Sequence, residues 1–299
     1  MCAQLIPPEL AQHLVTATVS AAGVSFESPD LNRWHIPTFH QYFVDLRLDK
    51  TYYGTYYIVC YDGIDDRLYE ALAPLELPLL TICKRAGQED VYLLPIPSLL
   101  DPTTCAVLQG LREKDPAFLS KRARAVWYGG LSGTLPLEEN LRCKFVTGAP
   151  AILDRIGLSH DIKFTHLFDR ANLYQPRFGR YEPEFIQPEQ QLGERFLVAL
   201  DGNSYPGNLH WALGVNSLVL RNDSPWRCTV DDFFFPGHDY ISFASDLSDL
   251  EERVRYVVEH DREMEQIVVN STLKMRAVTR ELLDGTTRAA LRQIQDNHG

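Results

Sequence analysis

Two short loops and one acidic cluster hold the residue types that could do chemistry in this chain of 299 residues. One loop is Gly129-Gly130-Leu131-Ser132-Gly133-Thr134. The other is Asp201-Gly202-Asn203-Ser204, inside the run FLVALDGNSYPGNLHWALGVNSLVL. Glycines let a backbone approach a phosphate closely, and a helix that opens after such a loop offers it unpaired N–H groups. Neither loop has the fixed glycine spacing of a P-loop or of the dinucleotide fingerprint. As bare patterns, both fit tight strand-to-helix turns better than a ligand cradle.

The acidic cluster is YDGIDDRLYE, where Asp62, Asp65 and Asp66 follow an aromatic and β-branched run. A carboxylate at a strand end can take the proton of an attacking hydroxyl. The same residues serve equally well as an Asp-Gly turn with helix caps. A third reading is a paired-Asp site for Mg²⁺ or Mn²⁺ in a metal-dependent sugar transferase. The nine histidines show no ligand spacing; His238, in GHDY, reads either as a site residue or as an exposed turn histidine. Ser132 is outside any G-x-S-x-G elbow, so a serine nucleophile is not expected.

The elements that must position these groups alternate between strand and helix. PPELAQHLVTATVSAAGV has the composition of a short helix entered through proline. TYYGTYYIVCYDG reads as a strand ending in a turn, DDRLYEALAPL as a helix, and PLLTICKRA as a second strand. A boundary falls near residue 120, in a charged stretch ahead of AVWYGGLSGTL. Residues 159–194 are the least regular part, a long loop or a set of short elements. Ser248 and Glu251 form a capping-box pattern ahead of a helix whose apolar face carries Leu247, Leu250, Val254, Val257 and Val258. The expected class is α/β with mostly parallel sheets in two halves. Ligands of such sheets bind beyond the carboxyl ends of the strands, where both glycine loops lie.

Composition narrows the partners. Hydrophobic residues make up 45% and charged residues 23%, enough apolar surface to bury a core. A net charge of −11 argues against nucleic acid, which is held by dense Lys and Arg. One small anion needs only a local basic patch, and Arg122, Arg124, Arg142, Lys144 and Arg221 could supply it. No apolar run is long enough to cross a bilayer, and MCAQLIPPEL lacks a basic leader, so no signal peptide is expected. The six cysteines form no C-x-x-C pair and read as reduced core thiols. The expected location is the cytoplasm, with peripheral association at the inner face of a membrane compatible with it.

Four blocks, VWYGGLSGTL, the run from Phe196 through Trp226, FFFPGHDYISFASDLSDLEERVRYVVEHD and the following helix, resemble glycosyltransferase family 90 in order and spacing. That family includes protein O-glucosyl- and O-xylosyltransferases, fungal capsule xylosyltransferases and bacterial LpsA-like lipopolysaccharide-modifying enzymes. The resemblance covers about residues 120–275. It implies a GT-B fold of two Rossmann-like domains facing across a cleft, with C-terminal helices. Residues 1–120 would be the acceptor-side domain, 121–275 the nucleotide-sugar domain, and 276–299 a C-terminal helix.

The implied reaction moves a sugar from a UDP-sugar to an acceptor hydroxyl with inversion and without an essential metal or cofactor. The acceptor would be a glycan, a lipid-linked saccharide or a protein hydroxyl. The family's W-R-G-x-x-T-G loop matches Trp127–Gly133, placing Gly129, Gly130, Ser132 and Gly133 at the donor. Its D-G-N-x-x-S-x-R stretch matches Asp201–Asn208, adding Asp201, Asn203, Ser204 and Asn208. Its S-P and H-Y positions match Ser224, Pro225, His238 and Tyr240, and Asp62 best matches the family's base. Two family arginines are replaced, by Tyr128 and by Asn208, which removes the fork suited to a diphosphate. Arg221, His210 and Arg124 are the candidate substitutes. The replacements leave open a second reading, a non-catalytic nucleotide- or sugar-binding relative.

Overall fold

The computed structural model describes residues 6–28, 35–61 and 63–298. Their strands are β1 (Leu14–Ser20), β2 (Gly23–Glu27), β3 (Gly54–Val59), β4 (Leu79–Thr81), β5 (Cys83–Arg85), β6 (Val91–Leu93), β7 (Arg122–Gly130), β8 (Ser159–His166), β9 (Glu194–Ala199), β10 (Leu218–Asn222), β11 (Trp226–Cys228) and β12 (Ile241–Phe243). The chain is α/β and forms two compact units. The first comprises residues 1–105, 225–232 and 278–299, and the second comprises 106–224 and 233–277.

The units are therefore not simply consecutive, and the expected boundary near 120 is replaced by one at 105/106, within helix Pro102–Lys114. Hydrogen bonding explains the interleaving. Strand β11 pairs antiparallel with β5, with Trp226 opposite Arg85 and Cys228 opposite Cys83. Helix Arg280–His298 joins the first unit through its polar side chains. Tyr42 Oη lies 2.8 Å from Thr287 Oγ1, Arg292 Nε donates to Tyr52 Oη at 2.9 Å, and Asn297 Nδ2 donates to Tyr92 Oη at 2.7 Å.

The first unit's sheet has the order β2-β1-β3-β4-β6, antiparallel at β2-β1-β3 and parallel from β3 to β6. Its opening corrects the expected N-terminal helix. Only Pro8–Ala11 is helical, and LVTATVS is strand β1 with alternating burial. Four β-branched residues in seven favour the pleated strand, and the alternation has period two.

The second unit's sheet is wholly parallel, in the order β12-β10-β9-β7-β8. The chain steps from β7 outward to β8, then crosses back to β9 on the other side of β7. The β7/β9 boundary is thus the topological switch point, where open α/β sheets leave a crevice at the carboxyl ends of the strands. The core beneath it is aromatic. Trp127 packs edge-on against Phe164 with centroids 5.6 Å apart, and Phe145 stacks on Phe243 at 5.8 Å. Such pairs add roughly 0.5–1.5 kcal/mol each beyond the area they bury.

Two further local readings change. The irregular segment 159–194 begins with the ordered strand β8 and continues through short 3₁₀ turns. Helix Leu250–Glu259 starts at Asp249, not Ser248. The Asp249 carboxylate instead accepts from the Ala244 N–H at 2.7 Å and so fixes the turn before the helix. Leu250, Val254 and Val257 are buried as the apolar face predicts, whereas Val258 is exposed.

Candidate functional site

The loops that leave β7 and β9 stand side by side at the switch point, and direct hydrogen bonds join them. The Gly133 N–H donates to Asn203 Oδ1 at 2.8 Å. Asn140 caps helix Leu141–Arg155 by accepting from the N–H groups of Arg142 and Cys143 at 3.0 and 3.2 Å. Its amide also donates to the carbonyls of Ser132 and Thr134, both at 2.9 Å. One side chain thus starts the helix and closes the loop ahead of it; losing such a cap costs ~0.5–2 kcal/mol.

Arg142 completes the arrangement. Its Nη1 donates to the Gly130 carbonyl and to Ser132 Oγ, both at 2.8 Å. Its Nε donates to the Asp201 carbonyl at 2.9 Å, and Nη2 to the Leu200 carbonyl at 3.0 Å. The planar fork therefore grips both loops at once, which lysine's single ammonium could not do. Burial pulls Arg142 down to about 10, so it remains a cation at neutral pH. It is a fixed positive charge beneath the two loops, with no carboxylate hydrogen-bonded to it among the described residues.

The glycines have identifiable steric reasons. A Cβ on Gly202 would stand 2.5 Å from Ser132 Oγ and 2.7 Å from Arg142 Nη2. A Cβ on Gly129 would overlap the Trp127 ring, and one on Gly130 the Phe168 ring. Gly133 has φ +103°, which L side chains rarely adopt. Three of the four are thus explained by packing against protein groups and the fourth by its backbone, whatever ligand the loops face.

At the end of β9, Asp201 is 7% exposed. Its N–H donates to Asn222 Oδ1 at 2.9 Å, and its Oδ2 accepts from Asn222 Nδ2 at 3.0 Å. Its Oδ1 has no hydrogen-bond partner among the described residues. Burial raises the carboxyl above its usual range, against the opposing pull of Asn222, Ser224, Arg221 and Arg142. Arg221, next to Asn222 at the end of β10, is buried with its guanidinium 5.6 Å from the Tyr240 ring centroid. Ser204 is buried, and its carbonyl accepts the Gly202 N–H at 2.9 Å.

The positions of the replaced arginines are occupied by groups with structural partners. Tyr128 Oη donates to Asp161 Oδ2 at 2.7 Å. Asn208 Nδ2 donates back to the Val198 carbonyl at 2.9 Å, tying the loop to β9. Of the three candidate substitute cations, Arg124 is at the opposite end of β7, bonded to both oxygens of Glu194 at 2.7 and 3.0 Å. Burial lowers His210 to about 4, so it is neutral at pH 7. Arg221 remains at the correct end of the sheet.

His238 is an exposed turn residue whose Nδ1 lies 2.9 Å from Asp239 Oδ1. Asp239 is buried and also accepts from Lys274 Nζ at 2.6 Å. No described hydrogen bond links His238 to the β7 and β9 loops. In the first unit, Asp62 lies outside the described residues. Asp65 takes the capping role, accepting from the Leu68 N–H at 2.8 Å, and Asp66 pairs with Arg85 at 2.5 Å. Among the described residues, no group of three His, Cys, Asp or Glu side chains is placed to hold a metal.

The residues not singled out for this site by sequence are Asn140 and Asn222, with Arg142 noted only as part of a basic patch. An Asn directly before an apolar-periodic helix is a readable cap signal. The other two act on main-chain atoms of distant loops and leave no local pattern.

An α/β chain with paired glycine loops at a parallel-sheet switch point belongs to the broad class of folds that bind ligands at strand ends. Comparison with known proteins adds particular likenesses. No family model matches the chain. It is 28% identical over 92 residues to the O-glucosyltransferase LpsA of Dichelobacter nodosus, covering 30% of this chain and 29% of LpsA. It is 28% identical over 173 residues to the uncharacterized protein 027R of Frog virus 3 (isolate Goorha), covering 51% of this chain and 17% of that one. The chain thus spans less than a third of either relative.

Similar solved structures include Anabaena HepE in complex with UDP and glucose, at 12% identity, 78% coverage of each chain and a TM-score of 0.42. Another is the UDP-forming α,α-trehalose-phosphate synthase of Burkholderia vietnamiensis, at 10% identity, covering 79% of this chain and 61% of that one, with a TM-score of 0.43.

Proposed function

We propose that this chain is a glycosyltransferase of GT-B type that moves a sugar from a UDP-sugar to an acceptor hydroxyl with inversion, in lipopolysaccharide or other glycan assembly. The observation that carries the reading is the β7–β9 site: two small-residue loops at the switch point, bridged by the half-buried Arg142 cation. The sequence likeness to LpsA, an O-glucosyltransferase, supports the same class of chemistry. Residues Gly129, Gly130, Ser132, Gly133, Asp201, Asn203, Ser204 and Asn208 would form the donor site. Arg221, Ser224 and His238 would border it.

The chemistry asked of these groups is limited. A departing UDP carries negative charge that fixed N–H dipoles and cations must stabilise. Loop N–H groups, Arg142 and Arg221 are the means available in the second unit. Inversion needs a base to take the acceptor's proton, and Asp62 in the first unit is the proposed one. The reaction would need no metal or cofactor, and the acceptor would be a glycan, lipid-linked saccharide or protein hydroxyl. The cytoplasm, with peripheral membrane association, is the proposed location. No described helix is long and apolar enough to cross a membrane.

A panel of UDP-sugars with saccharide acceptors, read as UDP release with and without EDTA, tests this reading. Release that survives EDTA and disappears in Asp62→Asn, while UDP binding remains, is expected. Activity abolished by EDTA would point to the metal-dependent alternative. The second reading, a binding-only relative, is favoured by Asn208, whose amide is turned to Val198 and lacks the phosphate-pairing fork. Tight UDP binding with no release under any acceptor would establish it.

A further inference from the structure

We propose that the first unit carries a ligand site of its own, which binds a sugar-sized, hydroxylated organic anion bearing a carboxylate or a phosphate. It is built from first-unit residues alone and does not depend on the chain being a transferase.

The observation is a cavity of about 500 Å³, within the size range of small-molecule sites. One wall is the β5–β6 segment with Lys84, Arg85 and Glu89; a second is β11 and the turn after it, with Arg227, Thr229 and Asp232. The third is helix Arg280–His298, which presents Thr286, Ala289, Ala290 and Gln293. These positions are spaced i, i+3, i+4 and i+7, a single helical face. Protein interiors are normally packed without large voids, and larger side chains on this face would fill the space. Other side chains of the same helix, Arg292 and Asn297, hold it in place through Tyr52 and Tyr92. The wall is thus both anchored and kept small.

The polar groups define the ligand. Arg85 is engaged by Asp66 at 2.5 Å, outside the lining, so Lys84 and Arg227 are the cations that can turn to a ligand. Lys84 Nζ uses two of its three N–H bonds on the carbonyls of Gln88 and Val91, at 2.9 and 2.7 Å. That fixes the ammonium and leaves one donor. Arg227 meets Asp232 at 3.5 Å, longer than a good N–H···O bond, so its fork is weakly engaged. Thr229 is 3% exposed, and its Oγ1 has no hydrogen-bond partner among the described residues. That hydroxyl lies in the wall behind the cavity surface, so a ligand reaches it only if the wall shifts. Glu89 and Asp232 can accept hydroxyls, and Ala289 and Ala290 offer an apolar face to a ring. Cation, hydroxyl acceptors and a flat apolar wall together match an acidic or phosphorylated sugar better than a neutral or purely apolar molecule.

Calorimetric titration of the full chain with glucose 6-phosphate, glucuronate and glucose, at fixed ionic strength, tests the proposal. One or both anions are expected to bind at least about tenfold more tightly than glucose, as charge-assisted hydrogen bonds require. Which anion binds distinguishes a phosphate from a carboxylate source. Arg227→Glu, at a half-exposed side chain, should lose that preference without lowering the melting temperature. Ala290→Trp, which fills the cavity, should lose binding as well; should it not fold, Arg227→Glu carries the test. UDP titrated in parallel should bind the native chain and Arg227→Glu alike, which separates this site from the donor site. Equal binding of anions and glucose, no binding of any, or anion binding unchanged in Arg227→Glu would overturn the proposal.

Discussion

Arg142 Nε lies 2.9 Å from the main-chain oxygen of Asp201, so a side chain from the helix after β7 holds the end of β9. The same guanidinium holds Gly130 and Ser132 on the β7 side. Replacing it by Met leaves several buried carbonyls without their donor. A loss of about 3 kcal/mol or more is expected, because hydrogen bonds to charged groups are worth more than neutral ones. Arg142→Lys keeps the charge but not the fork and should recover only part of the loss. Urea denaturation measures both; a change under about 0.5 kcal/mol in Arg142→Met would mean the loops hold themselves.

Two glycines offer a contrast. A methyl on Gly130 runs into Phe168, whereas one on Gly207 meets nothing within 4 Å. Gly130→Ala should cost about 0.5–1.5 kcal/mol, the strain of turning the exposed Phe168 ring aside, and Gly207→Ala should be neutral or stabilise by up to ~1 kcal/mol. Adding Phe168→Ala should rescue much of the Gly130→Ala loss, as coupled neighbours do. Independent, additive losses would show that the Phe168 ring is not what excludes a side chain at position 130.

Asp201 predicts one pH dependence. Its folded-state pKa is raised, first by burial, so the ionised form is a cost. That cost is present above the raised pKa and relieved as pH falls through it. Asp201→Asn should therefore melt higher than the native chain at pH 7–8, with the gap closing toward pH 4. If Asp201 serves the donor site, the same variant should lose activity while gaining stability, the trade expected of a strained functional group. A variant that melts lower at every pH would contradict the burial argument.

His210 predicts the opposite slope. Its folded pKa is lowered by burial from 6.5 to about 4, so between those values the unfolded chain binds more protons. Stability should fall as pH drops through that window, by at most about 1.4 kcal/mol per pH unit. His210 as a residue is half-buried, so the slope will be smaller than that limit. His210→Gln should flatten it in denaturation curves taken at several pH values; an unchanged slope would assign the acid sensitivity to other groups.

How much of this was legible in sequence depended on how local each cause was. FLVAL followed by a glycine turn reads as strand β9 because a buried parallel strand is a short apolar run. LVTATVS reads as helix because the preceding Pro-Pro-Glu does open one, but one that lasts a single turn. Asn140 carried a cap signal, whereas Arg142 and Asn222 reach main-chain atoms of other strands, which no spacing rule encodes. The return of residues 225–232 to the first unit was likewise invisible, since β11 is three residues long and its partner β5 is remote in sequence.

If the β7 and β9 loops bind the nucleotide of a UDP-sugar as proposed, hydrogen exchange in the presence of UDP will show it. UDP is expected to slow exchange at the amides of residues 130–134, 202–205 and 207–208, with Arg142→Met losing both protection and affinity. No binding, or protection confined to residues elsewhere in the chain, would contradict it.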